Sequence, residues 1–262
     1  MRWCRFQAGG KASYGVVEGD EVQPVAGSPF GRYRRTGKPL PLSSVKLLVP
    51  CVPPTFYAAG INYMEHVLGM AAITGRSPSP PQRPNIGYRA NNALIAHQEP
   101  IRVPSDASER IQYEGELVVV IGKQAKHISE EEVWDYILGY TIGNDFSERT
   151  WQASDSTFWR SKNTDTFKPM GPWIETDVDL DRMRTTVRIN GRTAADFATT
   201  NMIFGIATYL SAMSKYLTLY PGDVVWMGTD QIPENVKPGD EIEVEISGIG
   251  VLRNPVVAEP GP

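Results

Sequence analysis

Across its 262 residues the chain is 41% hydrophobic and 21% charged, an ordinary soluble balance with ample length for a real core. A formal net charge of −4, with no lysine/arginine run beyond the short stretch at residues 32–35, argues against a nucleic-acid or anionic-membrane partner. Two cysteines, Cys4 and Cys51, make no disulfide scaffold; with no signal-peptide core at the N-terminus and no apolar run near ~18 residues, a soluble, cytoplasmic protein is expected.

Residues 1–45 alternate short apolar pieces with Gly, Asp and Pro, and Gly9-Gly10 and Glu18-Gly19-Asp20 read as hairpin turns. They predict a small β-rich N-terminal subdomain without chemistry of its own, followed by a main domain over 46–262. Thr55–Gly60 reads as a strand, and a helical segment begins at Asn62-Tyr63-Met64-Glu65-His66. Prolines 78, 80, 81 and 84 then forbid both helix and central strand. That stretch is a linker or a lid, and its place just after His66 favours the lid.

Further on, Ser129 and Glu132 spell a capping box, with Val133, Trp134, Ile137 and Leu138 as the apolar face of a helix ending at Gly139. Met202, Ile203, Ile206, Tyr209, Leu210, Met213 and Leu217 predict a long amphipathic helix whose stripe is core or dimer contact. Glu241–Ile246 alternates as a strand, its three glutamates on a solvated face. Repeats, the P-loop, Gly-x-Gly-x-x-Gly and Gly-x-Ser-x-Gly are all absent. Strands, then scattered helices, then strands again favour an α+β fold over a doubly wound sheet.

The anomaly lies at Tyr113-Glu114-Gly115-Glu116, just before the apolar run Leu117–Ile121. In a strand, residues i and i+2 share a face, so Glu114 and Glu116 point the same way into a buried element. Two like charges there are costly unless a cation sits between them. Asp145, ending a second short strand, adds a third acid, and an all-oxygen set of Glu114, Glu116 and Asp145 suits Mg²⁺ or Mn²⁺, with Ca²⁺ as a further option. The plainer alternative is a solvated strand face. A helical turn over Ser147–Gln152 would put Arg149 and Gln152 on one face near Asp145, and Lys162 follows. A dication beside an arginine, an amide and a lysine suits a chelating oxo-acid on which enolate charge develops.

Tyr113-Glu-Gly-Glu-Leu-Val-Val-Val-Ile-Gly-Lys123, Gly139-Tyr-Thr-Ile-Gly-Asn-Asp-Phe-Ser-Glu-Arg149 and Asp165-Thr-Phe-Lys-Pro-Met-Gly-Pro-Trp173 together resemble the fumarylacetoacetate hydrolase family. Gly60-Ile61-Asn62-Tyr63-Met64-Glu65-His66, Pro221 to Thr229, and Pro238 to Leu252 are similar to it as well. The resemblance implies a mixed β-roll or sandwich with flanking helices, a homodimer, and an enzyme acting on a small oxo-acid. The first expectation is a metal-dependent hydrolase cleaving a C–C bond in a 3-acylpyruvate-like intermediate of aromatic breakdown. An isomerase, tautomerase or decarboxylase on 2-hydroxy-dienedioate or oxaloacetate-type acids is the alternative, and a metal-stabilised binding protein without turnover is a third. The resemblance further implies substrate contacts from Arg149, Gln152, Lys162 and Thr229, with Lys162 also catalytic and His66 as the base that activates water. His97 and His127 gain no such role. Gly69 stands where many members carry a glutamate that orients the histidine, a departure that bears on water activation more than on enolate chemistry. Arg89 replaces a lysine, so its role would be electrostatic. Gly228-Thr-Asp-Gln-Ile-Pro233 lacks the usual Pro-Ala-Gly.

Overall fold

The computed structural model describes residues 1–230 and 232–260; Gln231 in the Thr229 loop and residues 261 and 262 lie outside the described part. The chain folds as α+β, with strands as its main regular structure and short helices placed around them. Gly115–Ile121 is the organising strand, with every residue buried. Its odd-numbered side chains, Leu117, Val119 and Ile121, join one core cluster, and its even-numbered Val118 and Val120 join another. The two-residue period of a strand therefore serves two cores at once, which explains the unbroken apolar run.

Within the larger sheet the order is Tyr33–Arg35, Glu21–Gly27, Lys11–Glu18, Arg2–Ala8, Lys168–Glu175, Ile137–Asn144, Gly115–Ile121, Val224–Trp226, Phe56–Ala59 and Ile86–Tyr88. Both expected N-terminal hairpins are present, and Gly9 and Gly10 sit in the positive-φ turn conformation at 55° and 79°. The N-terminal strands continue the main sheet directly, because Arg2 and Trp3 pair with Glu175 and Ile174. A second sheet, Ile101–Val103, Gly250–Ala258, Glu241–Ile246, Arg184–Ile189 and Arg192–Ala198, packs across the organising strand. The two sheets approach closely at Gly115: an added Cβ would stand 2.9 Å from side-chain carbons of Val187 and Val244. On Glu241–Ile246 the glutamates pair with Arg188 and Arg253.

Among the described residues three α-helices flank the sheets: α1 (Met64–Thr74), the single turn α2 (Arg149–Gln152) and α3 (Ile206–Ser214). None of the described helices is long and apolar enough to cross a membrane. Two sequence expectations are corrected. No helix spans 129–138: a 3₁₀ turn forms at Val133–Tyr136, and Ile137 and Leu138 already belong to strand Ile137–Asn144. The Glu132 carboxylate does reach back to the Ser129 N–H at 2.8 Å, but pairing of Gly139 and Tyr140 with Val120 and Val119 overrides the local helical signal. The helix expected from Met202 starts only at Ile206, because the Ile203 N–H is spent on the Asn62 carbonyl at 2.7 Å and Met202 bridges Tyr63.

Candidate active site

Strand register builds the carboxylate cluster. Gly115 pairs with Asn144 and Glu116 with Gly143, and the Asp145 N–H extends the ladder to the Glu114 carbonyl at 2.8 Å. Glu114 and Asp145 thus face each other one step beyond the paired strands, while Glu116 lies across from Gly143. The structure brings the three carboxylates together: each offers an oxygen within 4.8 Å of the others, and all three residues are buried. Gly143 has to be small there, since an added Cβ would meet the Trp226 ring at 2.6 Å.

Cations crowd two of the three acids. Lys162 Nζ donates to Glu114 at 2.6 Å, Asp145 at 2.7 Å and the Ser147 hydroxyl at 2.8 Å. Arg149 Nη2 meets Glu114 at 2.5 Å, and its other donors are held by Gln112 at 2.7 Å and Gln152 at 2.8 Å. Arg89, expected as a substrate contact, grips both oxygens of Asp145, at 2.8 and 3.2 Å. The fully buried Lys168 completes the set, 2.8 Å from Asp145 and bonded to the Phe146 and Phe167 carbonyls.

The electrostatics divide accordingly. Burial would raise all three carboxyls, but Arg149 and Lys162 bring Glu114 down to about 2, and Arg89, Lys162 and Lys168 hold Asp145 well below its usual range. Glu116 goes the other way. Burial, reinforced by its two acidic neighbours, pushes it up to about 8. Among the described residues it has no arginine or lysine in ion-pair contact, and its hydrogen bond comes from the Gly228 N–H at 2.9 Å. Burial likewise presses Lys168 down to about 7 against the pull of Asp145.

The remaining expected residues stand at the margin. Half-buried His66 lies on α1, close enough for its charge to lower the Glu114 carboxyl. Asn62 sets the start of that helix, its amide bonded to the Met227 and Phe204 carbonyls. Thr229 is buried next to Gly228, and therefore one residue from the Glu116 contact. At Gly69 a Cβ would fall 2.3 Å from Ile232 Cγ1, so this position has no room for a carboxylate. Sequence reasoning missed Lys168, Ser147 and Glu148. Lys168 had a signal: a lysine leading directly into the apolar strand Lys168–Glu175. Glu148 caps α2 through the Trp151 N–H and also takes the Ser108 hydroxyl, and nothing local announces it.

The α+β fold gathers three buried carboxylates among arginines and lysines at its strand ends, a candidate site for a small molecule. The chain belongs to the fumarylacetoacetate hydrolase family: the model for the fumarylacetoacetate (FAA) hydrolase C-terminal region matches residues 55–257, and an Rv2993c-like N-terminal model matches residues 1–50. Protein Rv2993c of Mycobacterium tuberculosis is 38% identical over 275 residues, covering 100% of both chains. The 4-hydroxyphenylacetate degradation bifunctional isomerase/decarboxylase of Salmonella dublin is 36% identical over 78% of this chain and 47% of that one. Among solved structures, a 5-carboxymethyl-2-hydroxymuconate delta-isomerase from Mycobacterium smegmatis is 35% identical, with a TM-score of 0.89 over 99% of this chain and 100% of that chain.

Proposed function

We propose that the protein is a divalent-cation-dependent enzyme that shifts protons along the carbon skeleton of a small 2-oxo or 2-hydroxydienoic acid, as an isomerase or tautomerase. The observation that carries this reading is Glu116, a buried carboxylate lacking an ion pair among the described residues and set beside two further acids. Such a group fits a bound cation, and three hard oxygen donors within 4.8 Å fit Mg²⁺ or Mn²⁺. Glu114, Glu116 and Asp145 would hold it. When bound, the ion supplies Lewis-acid stabilisation of negative charge on the enolised substrate.

The protein's own groups do the rest in this reading. Lys162, held by Glu114, Asp145 and Ser147, places a positive charge beside the oxygen where enolate charge develops. Arg149, fixed by Gln112 and Gln152, orients the substrate's carboxylate, and Thr229 offers a further hydroxyl to it. Arg89 and Lys168 keep Asp145 ionised. Two relatives described as isomerases support the choice of reaction. C–C hydrolysis of a 3-acylpyruvate is the second reading, favoured by the nearness of His66 to Glu114 as a base for water. The homodimer implied by family resemblance belongs to the same proposal and is checked by sedimentation.

Product analysis with Mg²⁺ or Mn²⁺ on oxaloacetate, 2-hydroxydienedioates and acylpyruvates tests this. An absorbance shift with solvent deuterium entering carbon, and no fragments, is expected. Pyruvate plus a second acid would move the assignment to hydrolysis, and CO₂ to decarboxylation. Absence of both turnover and exchange on the whole panel would overturn the enzyme reading.

A further inference from the structure

The segment between α2 and the strand starting at Lys168 is a series of turns that serves two directions. Lys162 goes inward to Glu114 and Asp145. Two residues earlier, Arg160 lines a separate cavity of about 610 Å³, together with Tyr88, Arg89, Asn92, Trp159 and Asn163. Arg89 belongs to both places, since it lines the cavity while its guanidinium holds Asp145. The cavity and the carboxylate cluster therefore share Arg89 as a common wall. Its walls are tied together: Asn163 Oδ1 accepts from the Ala90 N–H at 2.7 Å, and the Asn92 amide bonds Asp165 at 2.5 Å.

The cations of this cavity are not equivalent. Arg89 is neutralised by Asp145, and Asp165, a carboxylate in the lining, is held by Asn92. Arg160 is stacked 4.6 Å over the Trp151 ring and pairs only loosely, with Nη2 3.5 Å from Asp155 Oδ1. The other Asp155 oxygen is engaged by the Ser161 N–H at 2.9 Å. Among the described residues, Arg160 Nε has no acceptor although it is buried. Nε is closed off from the cavity, so an anion would be met by the terminal nitrogens, of which Nη2 is only loosely paired, and a guanidinium immobilised by stacking is pre-organised for it.

We propose that this cavity receives the far end of the substrate chain and that Arg160 binds a second carboxylate there, as a specificity-determining residue. The proposal rests on the oxo-acid reading of the carboxylate cluster. It assigns charge selection at the tail to Arg160, whereas Arg149 serves the head. The exposed rings of Trp159 and Tyr88 flank the chain between the two ends.

The test compares 2-oxoadipate with its 6-monomethyl ester, which removes the tail charge and adds one methyl group. Binding is measured by calorimetry and any turnover or deuterium exchange by kinetics, on the Mn²⁺-loaded full-length protein and on Arg160→Met and Arg160→Lys. The parent should bind the diacid at least ten-fold more tightly than the ester. Arg160→Met should abolish that preference by weakening the diacid alone, and Arg160→Lys should restore part of it. Circular dichroism and an unchanged affinity for the ester check that the variants are folded. A parent that converts oxo-acids without preferring the diacid, or a preference that survives in Arg160→Met, overturns the subsite and leaves the functional reading intact. A preference that depends on Arg160 in a protein that neither converts nor exchanges any oxo-acid supports the subsite and overturns the functional reading. Tighter binding of the ester would instead mark an apolar tail pocket and end the proposal.

Discussion

Replacing Glu116 with glutamine removes a charge and almost no volume from a position that is 3% exposed. In metal-free protein its carboxyl is pushed from an ordinary 4.5 up to about 8. A raised carboxyl means that the folded chain holds the proton more tightly than the unfolded chain does. The group therefore favours folding below about pH 4.5, and stability falls as pH climbs towards about 8. From the ordinary value to pH 7 is about 2.5 pH units, at about 1.36 kcal/mol each, or roughly 3 kcal/mol of destabilisation. Glutamine cannot ionise, and its carbonyl can still accept the Gly228 N–H. With chelator at pH 7, Glu116→Gln should thus be roughly 2–3 kcal/mol more stable than the parent, raising the melting midpoint by about 4–12 °C for a chain of this size. Excess Mn²⁺ should close the gap at a hundred-fold excess over Kd, where the parent gains about 2.7 kcal/mol, and reverse the order at a thousand-fold excess, where it gains about 4 kcal/mol and the variant little. Thermal melts followed by circular dichroism from pH 5 to 8, with EDTA and with Mn²⁺, measure both effects. A variant less stable than the parent in EDTA at pH 7, or a parent indifferent to Mn²⁺, would refute the reasoning.

Lys168→Met should cost about 3–5 kcal/mol in urea unfolding, since it strips Asp145 of a buried partner and leaves two carbonyls without their donor; a loss under about 1 kcal/mol would contradict this. Gly69→Ala should cost about 1–3 kcal/mol by forcing Ile232 aside. Ile232→Ala in the same chain should recover most of that loss, and additivity of the two in a double-mutant cycle would show that they do not touch. Glu148→Ala should lose about 1–2 kcal/mol with the α2 cap and, by loosening Arg149, raise KM more than it lowers kcat. Steady-state kinetics that show the reverse split would place Arg149 outside the binding of substrate.

The carboxylate cluster was partly legible because it is partly local. Glu114 and Glu116 declare a shared face by spacing alone, and Asp145 ends a recognisable strand. What spacing cannot state is register, and the pairing of Glu116 with Gly143 is what sets Asp145 opposite Glu114. The same limit hid the partners of Asp145. Arg89 and Lys168 lie 56 and 23 positions away in the chain, and their contacts with Asp145 exist only once distant strands are laid side by side. The failed helix at 129–138 shows a different limit. Val133, Ile137 and Leu138 fit a helical stripe, yet Ile137 and Leu138 are apolar because they begin a buried strand, and long-range pairing outweighed a genuine capping signal. The α+β class survived because it depends on the order of many elements and not on any single one.

The seam where Arg2 and Trp3 lie against Glu175 and Ile174 has a consequence for handling this protein. Trimming away the first hairpins would open the Ile174–Glu175 end of the strand Lys168–Glu175, baring backbone donors and acceptors there, while its other end stays paired with Leu94 and Ile95. That strand carries buried Met170 and Ile174, so its new rim would be sticky as well as unpaired. A shortened chain should then precipitate or zip onto its own copies even with every carboxylate of the cluster still in place.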